Sequence, residues 1–177
     1  MIMTLEVFFD YACPFCLRGH EYLTELLPRY PGLTIDWRPC EAHPRPENYS
    51  PHSDLLARGM HIARESGADL SLYHPLAYDA ALLGAIDIED AKAVSGFMGG
   101  LTERDAFCKA LLDGAYADTL FESNRLAWEE YDFAAVPSYR AGVSLLGAAE
   151  GVGVTRDQLA VFLDEAFAGG RLQAREE

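Results

Sequence analysis

An apolar run over residues 5–9 delivers the chain to two cysteines three apart, in the order Cys13-Pro14-Phe15-Cys16. Leu5, Val7, Phe8 and Phe9, with Glu6 as the one polar residue among them, read as a largely buried strand. Residues 13–27 read as a helix. Cys16, His20, Leu23, Leu26 and Leu27 fall on one stripe, and Pro28 stops it. Pro14 then takes the first helical position, where its missing N–H costs nothing and its fixed φ suits the helix. Cys13 caps that helix, beside backbone N–H groups with no partner inside it. After a Pro31-Gly32 turn, Leu33, Ile35 and Trp37 alternate with Thr34, Asp36 and Arg38, the period of a half-buried strand. Strand, helix and strand form a βαβ unit. The helical crossover makes the strands parallel, so their C-terminal ends share one side.

The rest of the chain is coarser. Residues 39–51 are proline-rich loop, and 53–67 a helix capped by Ser53. Residues 68–117 read as mostly helical, with breaks at His74-Pro75, Gly84 and Gly99-Gly100, and with Thr102 and Asp105 resembling a capping box. Asp118 caps a further helix that carries Leu120, Ala127, Trp128 and Tyr131 on one side. Residues 134–147 hold two short strands about Ala141-Gly142. The clearest helix is 155–168, where Thr155 and Gln158 form a capping box, Leu159, Phe162, Leu163, Ala166 and Phe167 an apolar face, and Gly169-Gly170 a stop. Disorder is expected, if anywhere, in the tail 171–177. The fold class is α/β: a thioredoxin-like core over 1–51 and 118–177, with 52–117 as an inserted helical subdomain.

The cysteine pair has a physical rationale. A thiolate at a helix N-terminus is favoured by free N–H donors and by the helix dipole. Cys16 lies one turn on, close enough for a disulfide after a small tightening of that turn. The dipole contributes at most about 2 kcal/mol, or roughly 1.5 pKa units. Pro14 and Phe15 add no side-chain donor, so the expectation is a moderately depressed Cys13 pKa and a middling redox potential. Cys13, the exposed thiol, is the expected nucleophile in thiol–disulfide exchange, and Cys16 the thiol that resolves the mixed disulfide.

Charge and location narrow the field. The 177-residue chain carries a net charge of −14, which opposes binding to phosphate backbones or anionic lipid, and it has no Lys/Arg cluster. No apolar run approaches the roughly 18 residues of a spanning helix. The opening Met1-Ile2-Met3-Thr4 lacks a basic segment, and Glu6 and Asp10 interrupt the apolar run, so a cytoplasmic location is expected. In a reducing compartment a close cysteine pair is more often catalytic, redox-sensing or metal-binding than structural.

The residues resemble the DsbA-like thiol-disulfide oxidoreductases, in particular the cytoplasmic FrnE-like subgroup. Residues 8–16, FFDYACPFC, are similar to the family's strand-to-site segment. Residues 37–44, WRPCEAHP, resemble the stretch after its second strand, where the family more often has an aromatic at Cys40 and leucine at Ala42. Residues 135–139, AVPSY, resemble its Val–cis-Pro loop. The resemblance covers residues 4–50 and 118–168 and is weak across the inserted helices. It implies Cys13 as nucleophile and Cys16 as resolving thiol, with Val136 and Pro137 facing them. It further implies that Pro14, Phe15, Val136 and Pro137 contact substrate, that no cofactor is needed, and that partners are protein or glutathione-like thiols and disulfides. Related 2-hydroxychromene-2-carboxylate isomerases and kappa-class glutathione transferases typically have Ser where this chain has Cys13, and lack the second thiol. A glutathione-dependent isomerase or transferase is therefore an alternative reading.

A second alternative belongs to another class. Cys13, Cys16, Cys40 and His43 have the spacing of a zinc set, giving a zinc-binding or holdase-like module. Among single residues, Cys108 is expected in the core, Cys40 either in the core or as a third thiol near the site, and His20 on a helix surface rather than as a proton shuttle. Asp10 is a strand-end carboxylate that could accept a proton from Cys16. Tyr11 and Phe15 would flank the site.

Overall fold

The computed structural model describes residues 3–173, with 168–173 described by backbone alone. In chain order the elements are β1 (Met3–Phe9), α1 (Pro14–Leu26), a 3-10 turn (Leu27–Arg29), β2 (Leu33–Pro39), α2 (Asp54–Glu65), α3 (Leu70–Leu82), α4 (Ala91–Phe97), α5 (Arg104–Leu112), α6 (Ala117–Arg125), a wide π-type turn (Leu126–Glu130), β3 (Ser138–Ala141), β4 (Ser144–Leu146) and α7 (Arg156–Gln173). The sheet order is β2-β1-β3-β4. β1 and β2 run parallel with Phe9 opposite Pro39, while β3 is antiparallel to both β1 and β4.

β1 is central, so Leu5, Val7, Phe8 and Phe9 are buried whichever face they take. β2 lies at an edge and is only partly covered. Glu6 is buried in β1, where Arg38 from β2 and Arg140 from β3 reach it from either side. That pairing removes the cost of an isolated buried charge. Phe9, Tyr11, Trp37, His74 and Tyr78 form an aromatic layer binding the sheet to α3, with Trp37 and His74 ring centroids 4.4 Å apart. Residues of α2–α5 join the same apolar cluster as the sheet. The fold is thioredoxin-like α/β, the class the sequence implies.

Several local expectations shift for identifiable reasons. α3 runs through His74-Pro75 unbroken. Pro75 and Ser71 are both exposed, so the carbonyl that loses its helical bond can reach water. The α5 cap is Glu103, whose carboxylate accepts from the N–H groups of Asp105 and Ala106 at 3.1 and 2.7 Å, rather than Thr102. α6 is entered from Tyr116, in the left-handed region at φ 61, not from Asp118. A tertiary contact fixes that start: the Tyr116 hydroxyl donates to Glu65 at 2.8 Å and its ring stacks on His61. The Thr155–Gln158 box forms in both directions, at 2.9 and 3.2 Å. α7 continues through Gly169-Gly170 to Gln173. Of the tail, 174–177 lie outside the described residues.

Candidate active site

β1 ends at Phe9 and the chain turns through Asp10, whose carbonyl accepts from the Cys13 N–H at 3.1 Å. Cys13 caps α1 with extended backbone at φ −104, ψ 116, and Pro14 follows at the first helical position. Cys13 is half-buried, whereas Cys16 is 1 % exposed. The Cys16 thiol hydrogen-bonds the Cys13 sulfur and holds its pKa below the ordinary thiol value; burial opposes this, and the backbone N–H groups of Cys16 and Phe15 assist. Burial pushes Cys16 well up, and the hydrogen bond to Cys13 adds to that. One thiol is thus disposed to ionise and its neighbour to stay protonated.

Val136 meets the pair across 123 residues of chain: its carbonyl lies 3.7 Å from Cys13 Sγ. The Val136–Pro137 peptide is cis. Two features hold this loop against α1. A Cβ at Gly19 would fall 2.8 Å from Pro137 Cγ and 2.7 Å from Tyr139 Oη, so only glycine allows that approach. Ser138, fully buried, donates to the Ala135 carbonyl at 2.7 Å and accepts from the Ala148 N–H at 3.2 Å, tying two loops together. Phe15 is clasped between the Arg18 guanidinium, 4.9 Å from its ring centre, and Gly153, where φ is +81° and a Cβ would sit 3.1 Å from the ring.

Cys13, Pro14, Phe15 and Val136 line one cavity of about 390 Å³, together with Asp10 and Trp128. Pro137 is buried behind it, against Gly19, and is not among the lining residues. Asp10 is 5 % exposed and its carboxylate is fully engaged. One oxygen accepts from Ala12 N–H at 2.8 Å and Ser53 Oγ at 2.6 Å, the other from Ala42 N–H at 2.8 Å. It therefore joins the ends of β1 and β2 to the start of α2. Ser53, expected to cap α2, gives its hydroxyl to this carboxylate and makes no side-chain cap bond. The Asp10 main-chain N–H donates to Cys16 Sγ at 3.4 Å.

Sequence reading missed Glu41 and His52, both buried and both on the cavity wall. Burial raises the Glu41 pKa to about 7, the Asn124 bond opposing it and the charges of Asp54 and Asp10 adding to it. His52 Nδ1 lies 3.8 Å from its carboxylate. The Glu41 main chain is held by Asn124 at 2.7 Å and by the Trp128 indole N–H at 2.9 Å. Only the fold brings residues 41 and 52 to the same wall as Cys13.

Two expectations are corrected and one alternative reading is not supported. His20 is not a surface histidine: its ring lies 4.8 Å from that of His74 and 5.2 Å from Trp37, and burial lowers its pKa to about 4. Cys108 is half-buried at the edge of the core cluster rather than within it. The zinc set is not assembled. Cys40 is fully buried with its pKa raised by burial, and His43 stacks on Tyr49 and pairs with Glu47 at 3.0 Å. Among the described residues, no group of three or more His, Cys, Asp or Glu side chains is placed to hold a metal.

Known proteins bear on this geometry. The sequence profile of the DSBA-like thioredoxin domain matches residues 4–144. The uncharacterised protein YwbO of Bacillus subtilis (strain 168) is 24 % identical over 190 residues, covering 85 % of this chain and 92 % of its own length. A probable DsbA oxidoreductase from Streptomyces coelicolor is similar in structure, with a TM-score of 0.75 at 17 % identity over 94 % of this chain and 90 % of that one. A 2-hydroxychromene-2-carboxylate isomerase is also similar, with a TM-score of 0.69 at 18 % identity over 99 % of this chain and 100 % of that one. At these identities the two structural likenesses speak to fold. Among the described residues no helix is long and apolar enough to cross a membrane.

Proposed function

Since the chain belongs to the DSBA-like thioredoxin domain family, we propose that it is a thiol-disulfide oxidoreductase of the FrnE-like subgroup, acting in the cytoplasm on disulfides of proteins or glutathione-like thiols. The core that carries the site is 1–51 with 118–177, and 52–117 is the helical insertion. One observation carries the reading. A half-buried thiol with lowered pKa opens onto a cavity, and a sealed thiol with raised pKa is hydrogen-bonded to it.

In the reducing direction the Cys13 thiolate attacks a substrate disulfide and expels one substrate sulfur as thiolate. Cys16 then attacks the Cys13 sulfur of the mixed disulfide and releases the second. Two electrons pass from the cysteine pair to the substrate, and the reverse sequence oxidises a dithiol. The Val136 carbonyl, close to Cys13 Sγ, is positioned to accept from an extended substrate's main chain. Pro14 and Phe15 form the rim, and Pro137 fixes the loop that presents Val136.

The isomerase likeness supports a second reading, a glutathione-dependent isomerase or transferase. The two thiols oppose it, because that group typically has Ser in place of Cys13. Insulin reduction by dithiothreitol separates the two: the account expects clear acceleration by the chain and none by Cys13→Ser. Equal rates with and without the wild-type chain would end the oxidoreductase reading.

A further inference from the structure

The molecule collects unpaired polar groups around one thiol. His20 Nδ1, His74 Nε2, Tyr78 Oη and Tyr139 Oη are buried and have no protein hydrogen-bond partner. The four belong together. The His20 ring lies 4.8 Å from His74 and 5.9 Å from Tyr78, and Tyr78 lies 5.1 Å from Tyr11, whose hydroxyl meets His74 Nδ1 at 2.9 Å. Tyr139 Oη lies beside Gly19. Cys16, Gly19 and His20 share one face of α1 by their i, i+3 and i+4 spacing. Tyr78 and Tyr139 are each electrostatically coupled to Cys16, and Tyr78 to Tyr139.

Buried polar groups without partners lower stability, and native proteins satisfy nearly all of them with protein or ordered water. Of the eleven such atoms among the described residues, these four form one group beside the sealed thiol, and the chemistry of Cys16 supplies a reason for it. Cys16 holds its proton until it attacks, and the proton must then leave. The Asp10 carboxylate is already accepting three hydrogen bonds. Cys13, the neighbour nearer the cavity, carries the substrate at that moment.

We propose that Tyr78, Tyr139, His74 and His20, bridged by ordered water, form a proton relay between Cys16 and solvent. This rests on the thiol-exchange reading above. During resolution the Cys16 S–H proton passes into the relay, and the sulfur attacks Cys13. The Cys13–substrate S–S bond breaks, and its electron pair leaves on the substrate thiolate. His20, half-buried where the other three are sealed, is the outlet. The titratable groups that act on Cys16 are Cys13, Asp10, Tyr78 and Tyr139; His20, His74 and Tyr11 pack against Tyr78 and one another. Of these, Cys13 and Asp10 belong to the cavity side.

A disulfide that releases a coloured thiolate, 5,5′-dithiobis(2-nitrobenzoate), isolates the step in stopped flow with the reduced full chain in a Cys108→Ser background. Cys13 gives the first nitrothiobenzoate in a second-order phase; Cys16 gives the next in a phase independent of reagent concentration. The relay predicts that Tyr78→Phe with Tyr139→Phe leaves the first phase unchanged. The second slows about tenfold with a larger solvent deuterium isotope effect, and the midpoint of thermal unfolding moves little, because neither hydroxyl bonds another protein group. His20→Gln, a milder change at the outlet, slows the second phase alike. A merely structural role would instead lower the midpoint and spare the second phase. A second phase at wild-type rate in both variants overturns the relay, as does an equal slowing by Asp10→Asn alone. Absence of the first phase in the parent chain overturns the exchange reading, and the relay with it.

Discussion

The two sides of the cysteine pair are bonded to different degrees. On the cavity side most polar groups are consumed: Asp10 accepts three hydrogen bonds, Ser138 makes two, and Asn124 and Trp128 hold the main chain of residue 41, while Glu41 Oε1 and His52 Nδ1 have no hydrogen-bond partner. On the sealed side four polar groups of His20, His74, Tyr78 and Tyr139 stand unpaired among aromatic rings. In the proposed exchange, the first arrangement fixes geometry around the thiol that would meet substrate. The second leaves polar groups without protein partners beside the thiol that, in that exchange, would give up a proton. A motif one helical turn long thus lies between a largely bonded wall and a sparsely bonded one.

Removing either sulfur breaks the comparison most severely. Cys13→Ser is expected to lower insulin reductase activity by about a thousandfold or more, since alcohols are far weaker nucleophiles than thiolates near neutral pH. Cys16→Ala should still be attacked or attack once, and mass spectrometry should show it retained as a mixed disulfide on Cys13. Full turnover by Cys16→Ala would mean the sealed thiol is dispensable.

Gly19→Ala tests the seam between the two sides. Its methyl would meet Pro137 and Tyr139 well inside contact distance, so a loss of about 1–3 kcal/mol is expected from urea unfolding. An unchanged midpoint would show that the 136–139 segment yields freely. Ser53→Ala removes the 2.6 Å bond to Asp10 and should cost about 1 kcal/mol. Any larger fall in activity than in stability would mark Asp10 as more than a clamp.

A separate test is a pH dependence at Glu41. Its folded pKa, about 7, lies above the ordinary carboxyl value because of burial. The folded state therefore keeps a proton that the unfolded state has already lost, and stability falls as pH rises between those two values. Above about 7 the cost is complete; below the unfolded value, near 4.3, it is absent. Glu41→Gln should raise the melting temperature at about pH 8 more than at about pH 5. The reverse order would show that the carboxylate is stabilised, not strained, by its surroundings.

How much of this was legible in the residues follows from how local each feature is. The strand, the cap and the Pro14 helix start are set within fourteen residues, 3–16, and appear where the pattern puts them. So does the Thr155–Gln158 box. Features decided by distant partners did not show. Ser53 reads as a cap, but the Asp10 carboxylate, 43 positions away, takes its hydroxyl. Pro75 reads as a break, yet a helix whose other face buries Tyr73, Ala77 and Tyr78 tolerates it. His20 reads as surface because its partners Trp37 and His74 come from β2 and α3. Glu41 and His52 reach the cavity only once those elements are assembled. Gly19 carried a faint signal, a glycine inside a helix three residues after Cys16.

The opposite ionisation of the two thiols can be read directly by titrating the ultraviolet absorbance of thiolate in the reduced chain and in its Cys13→Ser and Cys16→Ala variants. One sulfur should ionise below the ordinary thiol value of about 8.5, and Cys13→Ser alone should abolish that transition. An early transition that survives Cys13→Ser, or no transition below the ordinary value, would contradict the division of labour on which the account rests.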